Sequence, residues 1–203
     1  MSARQADSKT VCNVWDNSDC EGTPLCPPRC PRFTDSEGVP LLIRPYRDED
    51  RESLVTMYDE IDSYSRTMGL PPTTVPQIED WLDKLADDGW NLVAVDDEVV
   101  GHVGVAPADA TDPKFVIFVH SEHQDRGIGT ELVKHVIAYA EDRGHDAVTL
   151  EVSKGNRRAI SVYENVGFCV EERLRSDLEM ELSLADPVAE RVQRPPAFRS
   201  DDI

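Results

Sequence analysis

Basic charge is what this 203-residue chain has least of. Its 21 lysines and arginines face 40 acids, and the formal net charge is −19. Only five of the bases are lysine, at positions 9, 84, 114, 134 and 154. Such a chain repels phosphate backbones, which argues against nucleic acid as a partner. Long apolar runs are missing too. None approaches the roughly 20 residues that span a bilayer, so no membrane segment is expected. Met1 to Thr10 has no apolar h-region of a secretory leader, and the chain reads as cytoplasmic. The acidic, lysine-poor composition points to a halophilic cytosol of molar salt, where the Debye length falls to about 3 Å and self-repulsion is screened. The acids are spread along the whole chain. A solvated acidic surface accounts for them better than one patch attracting a cationic substrate.

What is present is one core's worth of apolar residues, 39% of the chain, enough for a single domain with decorated ends. Residues 1–38 hold four of the five cysteines and prolines at 24, 27, 28 and 31, which forbid a regular helix. They read as a Cys-rich extension without a core. From Leu41 the pattern becomes globular. Leu41 to Arg44 reads as a strand, and Leu54, Met57, Tyr58 and Ile61 carry helical spacing. Ile78, Trp81, Leu82 and Leu85 repeat that spacing up to Gly89. Asn91–Val95 and Val99–Val105 read as a hairpin around Asp96-Asp97-Glu98. Lys114–His120 is a further strand. Leu132, Val133, Val136, Ile137 and Ala140 mark a helix closed by Gly144. Ala147–Val152 is a strand, Ala159–Tyr163 a short helix ended by Gly167, and Phe168–Glu171 and Leu178–Leu184 the last strands. Residues 39–184 form the predicted domain. From Ala185 to 203 a loose, Pro-interrupted tail is expected. The order β α α β β β α β α β β implies an α/β (α+β) sheet with helices on both faces.

One strand-to-helix turn stands out. In His120-Ser121-Glu122-His123-Gln124-Asp125-Arg126-Gly127-Ile128-Gly129-Thr130, two glycines let backbone approach a ligand closely. The helix that follows offers free N–H groups and a positive dipole end. Together they suit a diphosphate, with Arg126 adding charge beside it. A tight turn without a ligand needs the same glycines. The turn is neither a Walker loop nor a dinucleotide fingerprint, because no Gly-Lys-Ser/Thr follows and Leu132 stands where a third glycine would be.

Gln124-Asp125-Arg126-Gly127-Ile128-Gly129 resembles the Gln/Arg-x-x-Gly-x-Gly/Ala motif of the GNAT acetyltransferase superfamily. Downstream, Leu150-Glu151-Val152, Asn156 and Ala159-Ile160-Ser161-Val162-Tyr163-Glu164-Asn165-Val166-Gly167-Phe168 resemble its second signature. With the element order, the resemblance covers Leu41 to Leu184. It implies a mixed, mostly antiparallel twisted sheet of about seven strands with a splayed central parallel pair. It also implies acetyl-CoA as co-substrate and direct attack by a primary amine of a protein N-terminus, a lysine or a small molecule. By carry-over, backbone groups of Ile117, Phe118 and Val119 would pair with pantetheine. Asp125, Arg126, Gly127, Ile128, Gly129 and Thr130 would hold the pyrophosphate. Asn156 matches a cofactor-binding position, though asparagine also caps helices. Tyr163 matches the general acid that protonates the leaving thiolate, or else is a core tyrosine. The stretch Glu151-Val152-x-x-x-Asn156 with Tyr163 is similar to the ribosomal-protein N-terminal acetyltransferase branch, where the glutamate is the base. His120 is the second candidate base, because an unperturbed imidazole titrates near neutrality. His123 is read as a loop residue, and Cys169 as a core residue and not a nucleophile.

The four N-terminal cysteines, Cys12, Cys20, Cys26 and Cys30, could hold one structural zinc, form two disulfides, or stay as free thiols. A zinc there would staple a coreless segment and leave no open catalytic position. The alternative function is a non-catalytic acyl-CoA-binding sensor or scaffold that docks a partner through this extension. Monomer and homodimer, the acceptor, and the acyl chain length all stay open.

Overall fold

The computed structural model describes residues 16–61 and 72–199. Cys12 and most of the loop between the first two helices lie outside them. Eight strands make one sheet: β1 (Arg32–Thr34), β2 (Pro40–Pro45), β3 (Trp90–Asp96), β4 (Glu98–Ala106), β5 (Lys114–Val119), β6 (Ala147–Ser153), β7 (Cys169–Arg173) and β8 (Asp177–Ser183). Their spatial order is β1-β2-β3-β4-β5-β6-β8-β7. The helices are α1 (Arg51–Asp59), α2 (Val75–Asp88), α3 (Ile128–Asp142), α4 (Arg157–Val166) and α5 (Pro187–Gln193).

Alternation along the central strands explains the layers. Leu92 and Ala94 of β3 join a core with Leu132, Val133, Val136 and Ile137 of α3. Val93, between them, points the other way and joins Leu54, Met57 and Tyr58 of α1 with Ile78 and Leu82 of α2. Helices therefore cover both faces, as the sequence implies. The strand pairs are antiparallel except β5 with β6.

Both ends of the chain depart from expectation. The extension supplies an eighth strand: β1 pairs with β2 through Phe33↔Leu41, and Phe33 packs on the larger core. The expected loose tail instead begins with α5, whose Val188, Ala189 and Val192 are buried. Their i, i+1, i+4 spacing gives this short helix one apolar face, and that face packs against α3. Cys169 is exposed on the edge strand β7, where core placement was expected.

A buried ion pair ties these ends together. Arg29 donates from Nε to Glu131 Oε1 at 2.7 Å and from Nη2 to Oε2 at 3.0 Å. It also donates from Nη1 to the Val192 carbonyl of α5. Arg29 is 4% and Glu131 6% exposed. Burial alone would raise the Glu131 carboxyl, but the Arg29 guanidinium overrides it and holds it at about 2. The bidentate geometry satisfies both groups where water cannot. Replacing one partner strands the other as an uncompensated buried charge. Arg29→Ala is therefore expected to cost about 3–5 kcal/mol in denaturant unfolding. A loss below about 1 kcal/mol would show that the extension is not part of the cooperative unit.

Candidate active site

Strands β5 and β6 meet in register at one position, Lys114↔Thr149. Beyond it they separate. On its other side β5 stays paired with β4 from Ala106↔Lys114 to Gly101↔Val119. The ladder continues one residue further, where His120 N–H donates to the Val100 carbonyl at 2.9 Å. Hydrogen-bonded and non-bonded positions alternate in an antiparallel ladder. That alternation turns the amides and carbonyls of Ile117 and Val119 away from β4, towards the gap. Ile117, Phe118 and Val119 are only half-buried although their strand is central. A cleft with backbone donors and acceptors along one wall is the result.

The turn closes the wide end of this cleft. Asp125 (φ 62°) and Gly127 (φ 84°) are both left-handed. A Cβ on Gly127 would also lie 3.4 Å from Phe33 Cζ of β1. Gly127 is the N-cap of α3 and no side chain caps the helix. The first-turn N–H groups of Ile128, Gly129 and Thr130 thus keep their capacity for an anion. Gln124 braces the turn: its Nε2 donates to the Val119 carbonyl at 3.1 Å, and its Oε1 accepts from Arg158 Nη1 at 3.3 Å. Arg158 Nη2 also pairs with Asp125 Oδ1 at 2.8 Å.

The Arg126 expectation is corrected. Its guanidinium points at the extension, bound to Asp35 Oδ2 at 2.5 Å and near Glu37 Oε2 at 3.4 Å. Asp35 carries a turn of its own, accepting the N–H groups of Glu37 and Val39. Burial works against its charge, but those N–H groups and Arg126 keep its carboxyl below the ordinary range. Arg126 is thus a brace. The cation on the turn is Arg158, which the sequence reading missed. Its signal was there: Arg157-Arg158 open a helix, the end where positive charge is unfavourable without an anionic partner.

Two candidate chemical groups stand on opposite faces of the sheet at the narrow end. Tyr163 packs edge-on against Phe115 at 6.1 Å and near Phe168 at 5.8 Å, within the core that holds Leu150 and Val152. Burial raises its phenol, which stays protonated through the neutral range. Glu151, between Leu150 and Val152, projects to the other face and is 47% exposed. Lys114 Nζ sits 3.6 Å from its Oε2 and 3.2 Å from Glu179 Oε1. Asn156 caps α4, with Oδ1 accepting the Ala159 N–H at 3.1 Å.

His120 is not part of this constellation. Extending the Lys114↔Thr149 register puts Glu151 level with Val116, four residues before His120, or about 13 Å along the strand. His120 instead faces Glu60 at the end of α1, Nε2 to Oε2 3.4 Å, and its Nδ1 accepts the Glu122 N–H at 3.4 Å. The zinc expectation gains no support among the described residues, and Cys12 lies outside them. Among the described residues no three His, Cys, Asp or Glu side chains are placed to hold a metal. Cys20, Cys26 and Cys30 are free thiols. The Cys30 sulfur accepts from Asn17 Nδ2 at 3.1 Å and the Cys26 sulfur from the Thr23 N–H at 3.3 Å, so each is served locally.

Beneath Phe118 lies a buried polar chain. Tyr58 Oη is 2.7 Å from His102 Nδ1, and His102 Nε2 is 3.0 Å from Asn91 Oδ1. Asn91 Oδ1 can only accept, so Nε2 carries the proton and Tyr58 donates to Nδ1. Tyr58 also makes edge-to-face contacts with Trp81 and Phe118. Burial lowers His102 to about 3, and His135 to about 4 against the partial opposition of Glu131. A histidine whose folded value is lowered takes its proton preferentially when unfolded, so stability falls as pH drops below about 6.5. The two together should cost up to about 2.7 kcal/mol per pH unit between pH 6 and 5. Unfolding free energies that stay level across that interval would contradict their neutral, buried state.

Comparison with known proteins fits this geometry. A family model described as "Acetyltransferase (GNAT) family" matches residues 52–168. A probable N-acetyltransferase camello of Xenopus tropicalis is 39% identical over 80 residues, covering 38% of this chain and 36% of that protein. An uncharacterized N-acetyltransferase of Methanocaldococcus jannaschii is 33% identical over 107 residues, 49% and 47% of the two chains. The chain thus spans about a third to a half of the curated relatives it matches. The GNAT domain of S. lividans PAT aligns with a TM-score of 0.65 at 21% identity, over 75% of this chain and 95% of that one. Spermidine N-acetyltransferase from Vibrio cholerae, solved with CoA and spermine, gives 0.62 at 17% identity over 71% and 96%.

Proposed function

Because the chain belongs to the GNAT acetyltransferase family, its match covering residues 52–168 of 203, we propose that it moves an acetyl group from acetyl-CoA to a primary amine by direct attack. The observation that carries this is the gap between β5 and β6, with backbone groups of Ile117 and Val119 turned into it and an uncapped helix end at its mouth. An extended pantetheine arm supplies alternating amide donors and acceptors for such a wall. A diphosphate suits the N–H groups of Ile128, Gly129 and Thr130, with Arg158 close by.

The two faces then divide the chemistry. A thioester in the gap has Glu151 on one side and Tyr163 on the other. Glu151 takes the proton from an incoming ammonium, which makes the nitrogen lone pair available. Attack on the carbonyl carbon forms a C–N bond, and the tetrahedral intermediate expels sulfur. Tyr163, held protonated by burial, gives its proton to that sulfur, and the second proton released by the new amide nitrogen restores the phenol. This division places the acceptor on the Glu151 face. The relatives' names, N-acetyltransferase and spermidine N-acetyltransferase, support an amine acceptor. No feature of the site favours the non-catalytic sensor. The structural zinc has no support among the described residues.

The test is release of CoA thiol from acetyl-CoA across a panel of polyamines, lysine-containing peptides and free N-terminal peptides, in low and in molar KCl. Tyr163→Phe and Glu151→Gln should each lower kcat by about 10²–10⁴-fold with little change in acetyl-CoA affinity. Acetyl-CoA binding without CoA release from any amine would overturn the enzymatic reading.

A further inference from the structure

Lys114 holds an unusual position for a chain with five lysines. It is the last residue of β5 still in register with β6, so it stands where the gap begins. Its side chain lies on the face opposite Phe115 and Tyr163. Its ammonium reaches both Glu151, at 3.6 Å, and Glu179, at 3.2 Å. Those two carboxylates oppose each other directly across the β6–β8 ladder. Like charges in that relation repel, and a cation between them offsets the repulsion. Lys114 is 43% exposed, so neither burial nor packing fixes it there. The place it fills, against the candidate base on the acceptor face, is the place an acceptor amine must take.

We propose that Lys114 is a self-acetylation site, its ε-amine serving as an internal acceptor for the acetyl group of bound acetyl-CoA. The proposal rests on the reading of Glu151 as base and of the β5–β6 gap as the acetyl-CoA site. Glu151 removes one proton from the Lys114 ammonium and passes it to solvent. The freed amine attacks the thioester carbonyl, forming a C–N bond while the C–S bond breaks. The nitrogen loses its second proton and the departing sulfur gains one, leaving acetyl-lysine, CoA thiol and one released proton. No oxidation occurs. The product is neutral, so Glu151 and Glu179 lose their internal cation and can receive the ammonium of an external acceptor.

The experiment incubates the full chain with acetyl-CoA and no acceptor, and follows acetyl occupancy of each lysine by peptide mass spectrometry. Acetyl-CoA binding is checked in parallel by thermal shift. Lys114 should be acetylated to about one group per chain, ahead of Lys84 and the exposed Lys154. Glu151→Gln should slow Lys114 by about 10²-fold or more while leaving the slow background at Lys84 and Lys154 unchanged. Lys114→Arg, which keeps the charge and offers no ε-amine, should remove the stoichiometric product and lower turnover of external amines, because its cation stays between Glu151 and Glu179. If acetyl-CoA binds and external amines turn over, yet Lys114 reacts no faster than Lys84, the proposal is overturned while the functional reading stands. It is equally overturned if Glu151→Gln leaves the Lys114 rate unchanged, since the reaction is then uncatalysed. Absence of acetyl-CoA binding would overturn both.

Discussion

A sheet cannot leave its central backbone groups without partners, and in this protein that constraint organises the whole site. Strands β5 and β6 share a single registered pair and then diverge. A β-strand separated from its neighbour in the middle of a sheet exposes N–H and C=O groups that cost free energy unless something meets them. Water can do so, but an extended ligand with alternating amides does it better, because it replaces the missing strand. The position of α3 follows from the same opening. Its N-terminus lies at the wide end, and its unpaired N–H groups extend the row of donors that begins on β5.

Holding that opening in shape falls to residues far away in sequence. The turn before α3 places two consecutive odd residues in left-handed conformations, Asp125 and Gly127. Asp125 is kept by Arg158 of α4, and the turn's other flank by the Arg126–Asp35 pair. Further along α3, Glu131 takes the Arg29 fork, and the same arginine holds α5 through the Val192 carbonyl. The N-terminal segment is therefore a brace behind the turn that opens α3. The requirement for glycine at 127 is conformational, set by its φ of 84°, and Phe33 would lie in contact with a Cβ there at 3.4 Å.

Much of this was legible in the sequence, and what was not has identifiable causes. Seven strands announced themselves by alternation or by apolar runs of strand length. β1 did not, because three residues after a proline-rich stretch carry no periodicity. Pairing with β2, together with the contact of Phe33 with the core, makes them a strand. Helix α5 was lost because its Pro and charged neighbours masked three apolar positions. Gly127 could be read as a turn glycine from local rules, and Glu151 and Tyr163 became candidates through a family motif. The partner of Arg126 could not be read, since Asp35 is 91 positions away. Nor could the separation of His120 from Glu151, which depends on strand register. Lys114 was overlooked because a lysine at a strand start is ordinary. Its meaning comes from cross-strand neighbours on β6 and β8.

The most direct test of the central claim, that bound acetyl-CoA replaces the missing strand beside β5, is residue-resolved amide hydrogen exchange with and without acetyl-CoA. The account predicts that exchange at Ile117 and Val119 slows by more than about tenfold on binding, together with Ile128, Gly129 and Thr130, while Phe118, already turned towards β4, changes little. Unchanged exchange at Ile117 and Val119 in a sample that binds acetyl-CoA would place the cofactor elsewhere and contradict the account.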